Sequence, residues 1–97
     1  MLECEDMKEL ERVMKGLANR RRLAIIRHLH AKREASVADI ANAINLSFTS
    51  TSKHLNLLHR LDILDRRQES LTVYYSIAKS PPTLLKLVVP LISNSRE

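Results

Sequence analysis

Apolar side chains recur along most of the chain at intervals of three and four residues, the spacing that places them on one face of an α-helix. The pattern predicts a first helix over about residues 5–17, with Gly16 near its end as a terminator. A second helix is expected to begin after Asn19, a favourable N-cap residue, and to end before a connector at 32–35. The expected inward positions of these helices are Leu10, Val13, Met14, Leu17, Leu23, Ile26 and Leu29.

Two further helices are expected on either side of a tight turn at Asn45 and Leu46. Ser36, with an acid three residues later, is typical of a capping box and opens the shorter of the two. Ser47 is the expected cap of the longer one, which is predicted over 47–61. Their inward positions are Val37, Ile40, Ala41, Ile44, Thr51, Leu55 and Leu58.

The apolar period then changes from that of a helix to that of a strand. Alternation over 71–77 predicts a strand with Leu71, Val73, Tyr75 and Ile77 on its buried face, and 64–68 is a weaker partner strand. The hairpin tip at Glu69 and Ser70 lacks the glycine or asparagine that a two-residue turn prefers, so a longer loop is expected.

The last predicted helix, 80–93, carries more apolar surface than one core can bury. Ser80 as N-cap and Pro81 as first helical residue mark its start, and Pro90 is expected to kink or cut it. It has two apolar stripes where one core needs only one. The terminal helices, about 5–17 and 80–93, are therefore expected to form a homodimer interface. Its expected residues are Leu10, Met14, Leu84, Leu87, Val88 and Leu91.

Length and composition favour one small soluble domain over residues 1–97, with an ordinary apolar fraction of 44%. No apolar run approaches the roughly 18 residues of a membrane span, and the acidic start has no secretory signal. The single cysteine fits a reducing compartment, so we expect a cytoplasmic protein without a membrane partner. The single glycine excludes Gly-rich phosphate loops.

The charge is unevenly distributed. Residues 1–12 hold five acids and two bases, whereas 13–33 hold seven bases and no acid, and the chain carries a formal net charge of +5. A basic body with an acidic arm favours a polyanionic partner, most simply nucleic acid. The alternative is a solvated basic face that binds nothing.

Two helices joined by a tight turn, with the second followed by a hairpin, form a winged helix-turn-helix. The shorter helix braces the longer one, which can then lie in the major groove of DNA. The first turns of the longer helix, 48–54, are polar and carry no formal charge except Lys53, so their hydroxyls can donate to phosphates or base edges. A Ser/Thr-rich first turn is also found in any well-capped helix.

The chain resembles the ArsR-type family of small dimeric winged-helix repressors over about residues 10–77. The segments that carry the resemblance are KGLANRRRLAIIRHL at 15–29, VADIA at 37–41, LS at 46–47, SKHLNLL at 52–58, LDIL at 61–64 and VYYSI at 73–77. The resemblance implies a mostly α fold with a small β-hairpin between the fourth and fifth helices. It also implies a homodimeric, sequence-specific repressor that covers a promoter by binding double-stranded DNA at a near-palindromic operator.

The resemblance further implies which side chains meet DNA. Those toward the groove are Thr49, Ser50, Ser52 and Lys53, those toward phosphate are Ser52 and His54, and those from the wing are Arg66 and Arg67. The residues themselves leave alternatives open, because His54 suits helix packing and the arginines suit a solvated strand. Phe48 is either a contact to a thymine methyl or a plain exposed apolar residue.

Four positions depart from the family pattern. Phe48 replaces its glutamine, Thr51 its valine, and Ser70 with Leu71 its glycine–arginine pair at the wing tip. Base preference and wing-tip contacts therefore do not carry over.

The family's usual metal sites are not expected here. The predicted third helix has no cysteine, the last helix has no ionisable residue except Lys86, and no two of the four histidines share a helix face. We predict no metal and no cofactor. Cys4 among acids is expected to be inert, and the alternatives are a metal site across a dimer, an oxidisable thiol and an interchain disulfide.

The leading alternative function is a winged-helix module for protein–protein contact, such as an anti-regulator. Apolar Phe48 and Leu71 at a reading surface would suit a protein partner. A sequence-indifferent DNA binder is another alternative. An enzyme is not expected, because the sequence offers no nucleophile–base pair and no cofactor loop.

Overall fold

The computed structural model describes residues 4–93, with side chains from Asp6 onward. The described part of the chain has five helices and a three-stranded antiparallel sheet, which agrees with the predicted mostly α fold, and a hairpin lies between the fourth and fifth helices. The elements are α1 (Cys4–Leu17), α2 (Arg20–Lys32), β1 (Glu34–Ser36), α3 (Val37–Ile44), α4 (Phe48–Arg60), β2 (Leu64–Glu69), β3 (Thr72–Ile77) and α5 (Thr83–Ser93). None of the helices described has the length and apolar character needed to cross a membrane.

Three of the four predicted helix caps are confirmed. The side chains of Asn19, Ser36 and Ser47 each accept hydrogen bonds from backbone N–H groups in the first turn of the following helix, at 3.0 to 3.1 Å. Each such cap contributes about 1 kcal/mol. Asn45 ends α3 in the left-handed conformation, with φ 57°, and so makes the predicted tight turn before α4.

The expected connector at 32–35 contains a short strand. β1 pairs with β3, so the sheet order is β1-β3-β2 and β3 is the central strand. Ala35 lies opposite Tyr75 in this register, and both side chains are buried. Three residues are too few to show an alternating pattern, so this strand could not be predicted from periodicity.

The hairpin tip was also predicted wrongly. Glu69 pairs with Thr72, which leaves only Ser70 and Leu71 as a two-residue turn in place of a longer loop. Ser70 adopts a φ of 57° without being glycine or asparagine, at a cost that the pairing along both strands offsets. Leu71, expected on the buried face, is 96% exposed at the tip.

The last helix begins three residues later than predicted, so Ser80 is not its cap. Pro82 disfavours a helical conformation at Pro81, and the Leu85 N–H donates to the Pro82 carbonyl at 3.0 Å in the first turn. Pro90 lies inside α5 and does not cut it, because the helix continues to Ser93.

The core lies between the helices and the inner face of the sheet. Its most deeply buried side chains are Val13, Ile25, Ile26, Leu29, Ile40, Leu55, Leu58, Ile63, Leu64 and Leu85.

Gly16 is buried inside α1 and does not end it, contrary to the prediction. A Cβ at Gly16 would overlap a terminal methyl of Leu61, so the glycine allows α1 to approach the end of α4 closely.

Thr51 is a polar residue in this core. Its side chain is 0% exposed, and Oγ1 has no hydrogen-bond partner among the described residues.

Burying an unpaired hydroxyl is unfavourable, so Thr51→Val is expected to raise the free energy of unfolding by about 1 kcal/mol. Urea denaturation measures the change. Thr49→Val, at an exposed position of the same helix, is the matched control and should have little effect; a loss of stability in Thr51→Val would contradict the prediction.

Candidate nucleic-acid interface

The beginning of α4 presents the predicted contact residues on the surface. Phe48, Thr49 and Lys53 are exposed and Ser50 is half-buried, whereas Thr51, from the same turns, is buried against the core. Ser52 and His54 are likewise half-buried at this end of the helix. α3 packs against α4 and supports it through buried core residues. The structure therefore brings these predicted residues together at one end of a braced helix.

A basic groove, defined here as Lys53, Asn56, His59, Arg60 and Arg66, separates α4 from β2. Its lining contains no acid, so its electrostatic potential favours a phosphate backbone. Lys53 and Arg66 were predicted from the sequence as contact residues, whereas Asn56, His59 and Arg60 were not. The signal was present, because Lys53, Asn56 and Arg60 are spaced i, i+3 and i+7, which places them on one helix face.

The His54 side chain contacts an arginine of α2 that was not among the predicted site residues. Nη1 of Arg22 lies 3.3 Å from Nδ1 of His54, and Nε of Arg22 donates to the Gly16 carbonyl at 2.6 Å. Because a guanidinium can only donate, Nδ1 must accept, which leaves the proton on Nε2. Arg22 thus connects the end of α1 to α4.

The environment of His54 favours its neutral form. Partial burial, followed by the positive charges of Arg22 and Arg21, lowers the pKa of His54 below its ordinary value. In the chain alone, the neutral imidazole with its proton on Nε2 is therefore the favoured form of His54 near pH 7.

This lowered pKa predicts an acid-dependent loss of stability. As the pH falls below about 6.5, the unfolded chain protonates His54 before the folded chain does, so the free energy of unfolding decreases. His54→Gln should reduce the fall in melting temperature between about pH 7.5 and pH 5. His30→Gln, at an exposed position, is the control and should leave that difference unchanged. Equal pH dependence in His54→Gln and the unmodified chain would contradict the assignment.

Arg67 takes part in an ion-pair cluster on the wing, defined here as the β2–β3 hairpin (64–77). Its guanidinium donates to Glu34 at 2.9 and 3.1 Å and to Glu69 at 2.8 Å. It also lies over the ring of Tyr74, 4.7 Å from the centroid. The hydrogen bond from Arg67 is the main reason that the pKa of Glu34 is lowered. Arg67 therefore joins the two outer strands across β3, whereas Arg66 faces the basic groove.

Comparison with known proteins places this arrangement in a family. A family model described as a helix-turn-helix domain matches residues 17–67. The solved structure of reduced HlyU from Vibrio cholerae N16961 is similar with a TM-score of 0.76 and 30% identity, over 91% of this chain and 88% of that chain. The chain belongs to the ArsR-type family of winged helix-turn-helix transcriptional regulators.

Two other relatives show how far the similarity extends. The cadmium resistance transcriptional regulatory protein CadC from Listeria innocua is 38% identical over 72 residues, which cover 74% of this chain and 60% of CadC. This ArsR-type chain thus spans about 60% of the length of that curated relative. The homodimeric winged helix-turn-helix DNA-binding domain from Mycobacterium bovis is similar with a TM-score of 0.76 and 32% identity, over 93% of this chain and 82% of that chain.

The two terminal helices of the ArsR-type chain contact each other, and each has exposed apolar side chains, called here the exposed apolar face of α1 and α5. Its residues, Met7, Met14, Leu87 and Leu91, are between 53% and 73% exposed. Three of these belong to the predicted interface, and Met7 was missed although it falls at helical spacing before Leu10 and Met14. The remaining predicted residues are less accessible: Leu10 is half-buried, and Leu84 and Val88 pack partly against the core of their own chain.

The hypotheses that involve Cys4 fall largely outside the described residues of the ArsR-type chain. Met1–Glu3 and the side chains of Cys4 and Glu5 are not described. Among the described residues, no group of three His, Cys, Asp or Glu side chains is arranged to hold a metal ion.

Proposed function

We propose that this chain is a cytoplasmic homodimeric repressor that binds double-stranded DNA at a near-palindromic operator. The observation that carries the proposal is the basic groove along α4, which extends from Lys53, close to the exposed polar start of the helix, to Arg60 at its end. A helix of this size fits the major groove, and an acid-free basic groove next to it fits the adjoining phosphates. Membership of a family of transcriptional regulators supports the same function.

The proposed roles follow from exposure and charge. Lys53, Arg60 and Arg66 neutralise phosphates, and His54 donates a hydrogen bond to phosphate. The residues proposed to reach base edges or nearby phosphates are Thr49, Ser50 and Ser52, with Phe48 against a thymine methyl or simply exposed beside them. Arg67, whose charge is already balanced by two carboxylates, is assigned to holding the wing.

The proposed dimer buries the exposed apolar face of α1 and α5. The relative from Mycobacterium bovis is homodimeric, and an apolar face of this kind on a small domain marks an interface. A two-fold axis places two copies of α4 about 34 Å apart, one turn of DNA. The proposal treats residues 1–97 as one domain and involves no metal or cofactor.

The decisive experiment is selection of bound sequences from a random DNA pool at physiological salt. The expected result is an enriched inverted repeat with half-sites about one helical turn apart. Affinity measured by fluorescence anisotropy should fall with salt at a log–log slope of about −0.9 per neutralised phosphate. Absence of enrichment together with a salt-independent affinity would exclude the proposal.

A protein-binding module is the second candidate. It is favoured by two exposed apolar side chains on the reading surface, Phe48 at 59% and Leu71 at 96% exposure. A gel shift with random DNA at low salt separates the two functions. A shift at micromolar protein supports DNA binding, and its absence supports the protein-binding module.

A further inference from the structure

A second groove lies between α2, the end of α3 and the end of α5. Its volume is about 850 Å³, within the range of about 300–1,000 Å³ that is typical of ligand sites. Its lining includes no residue of α4 or of the wing and shares none with the basic groove, although the charge of Arg21, which lines it, also acts on His54.

One side of this groove is strongly basic. Arg20, Arg21 and Arg27 line it, beside His28, and no acid does. Within residues 4–93, none of the three arginines takes part in an ion pair or a side-chain hydrogen bond. This differs from Arg67, which two carboxylates neutralise. Three uncompensated guanidinium groups around one groove favour an anionic occupant.

The rest of the lining is mostly apolar. Leu23, Ile44 and Ile92 belong to it, one from each of the three helices, together with three alanines. A bare phosphate or a DNA backbone gains nothing from these apolar side chains, whereas an acyl chain or an aromatic ring does. The arginines and the apolar residues together favour a ligand that has both an anionic group and an apolar part.

We propose that the groove between α2, α3 and α5 binds an amphipathic organic anion, a carboxylate attached to an apolar chain or ring. The arginines bind the carboxylate, and the apolar residues of the lining pack against the hydrocarbon. This adds a ligand site to the proposed repressor.

The position of the groove connects the ligand to DNA binding. Asn45, in the turn that leads into α4, lines one end, and Ile92, in the proposed dimer helix, lines another. An occupant therefore contacts both elements that set the placement of α4 in a dimer. We expect its binding to change DNA affinity, a consequence that rests on the proposed function.

The first experiment tests the site without DNA. Octanoate is titrated into the full chain and followed by ¹H–¹⁵N spectra and calorimetry, with acetate as the probe for charge alone and octylammonium as an apolar chain of the same length with the opposite charge. Octanoate alone should bind, with shifts at α2, Asn45 and Ile92. Arg27→Gln should weaken binding at least about tenfold, whereas Lys32→Gln, which removes a charge from the same helix outside the groove, should not.

Several outcomes would overturn the site. Octylammonium binding as tightly as octanoate would show a merely apolar surface, and acetate binding as tightly would show a merely cationic one. Shifts confined to α4 and the wing would place the ligand elsewhere. A loss of DNA affinity in Arg27→Gln without any octanoate binding would show that the groove is a DNA contact.

The second experiment tests the coupling. Octanoate at a concentration that just saturates the unmodified chain should change its dissociation constant for the selected operator by at least about fivefold, and Arg27→Gln should need a correspondingly higher octanoate concentration for the same change. An unchanged constant would contradict the coupling. If the chain failed to bind any DNA, the proposed function would fail, while the titration without DNA would still decide the ligand site.

Discussion

Leu91→Asp is expected to convert the protein to a monomer and to weaken operator binding by at least about 100-fold. Leu91 is 73% exposed on α5 and is buried only in the proposed interface, where an aspartate would lose its hydration without gaining a partner. A monomer loses the second half-site and with it the gain from simultaneous binding. Light scattering measures the mass, and fluorescence anisotropy measures the affinity.

The controls separate loss of the interface from loss of the fold. Leu71→Asp makes the same change at a more exposed leucine on the wing, and this variant should remain a dimer. Val88→Asp is a poorer probe because Val88 packs partly against the core of its own chain. Circular dichroism should show that Leu91→Asp keeps its helices. A Leu91→Asp variant that stays dimeric by light scattering would refute the interface.

The second prediction with a large effect is that removing two positive charges from the basic groove weakens DNA binding. Lys53→Gln combined with Arg60→Gln is expected to weaken operator binding at physiological salt by at least about 100-fold. A dimer carries each site twice, so four phosphate contacts are lost and the log–log salt slope should become shallower by about 3.6. Both side chains are exposed, so the fold should be unaffected.

A matched double variant tests whether position or total charge matters. Lys32→Gln with Lys86→Gln removes the same charge from exposed positions outside the basic groove. Its salt slope should remain close to that of the unmodified chain, because exposed charges beyond a Debye length of about 8 Å are largely screened. Equal salt slopes of operator affinity for the two double variants would contradict the assignment of Lys53 and Arg60 as phosphate contacts.

Much of the fold and part of the candidate site follow from short-range chemistry in the sequence. The caps at Asn19, Ser36 and Ser47 were predicted because each depends on atoms within three residues of the cap. Helix α4 was predicted because its apolar period determines which face is buried and leaves the side chains of Thr49 and Lys53 exposed to solvent. The apolar surplus of α5 likewise indicated an uncovered face, of which Leu87 and Leu91 are exposed.

The tertiary structure decided what depends on residues far apart in the chain. The β1 strand exists only through its pairing with β3, and Gly16 is required only because Leu61 lies against it. Arg22 reaches His54 across 32 positions, and Arg67 reaches Glu34 across 33. Periodicity and capping describe atoms a few residues apart, whereas these contacts arise when separate elements pack. Local pattern therefore set the helices and the exposed end of α4, and packing alone set which charged groups remain free to meet DNA.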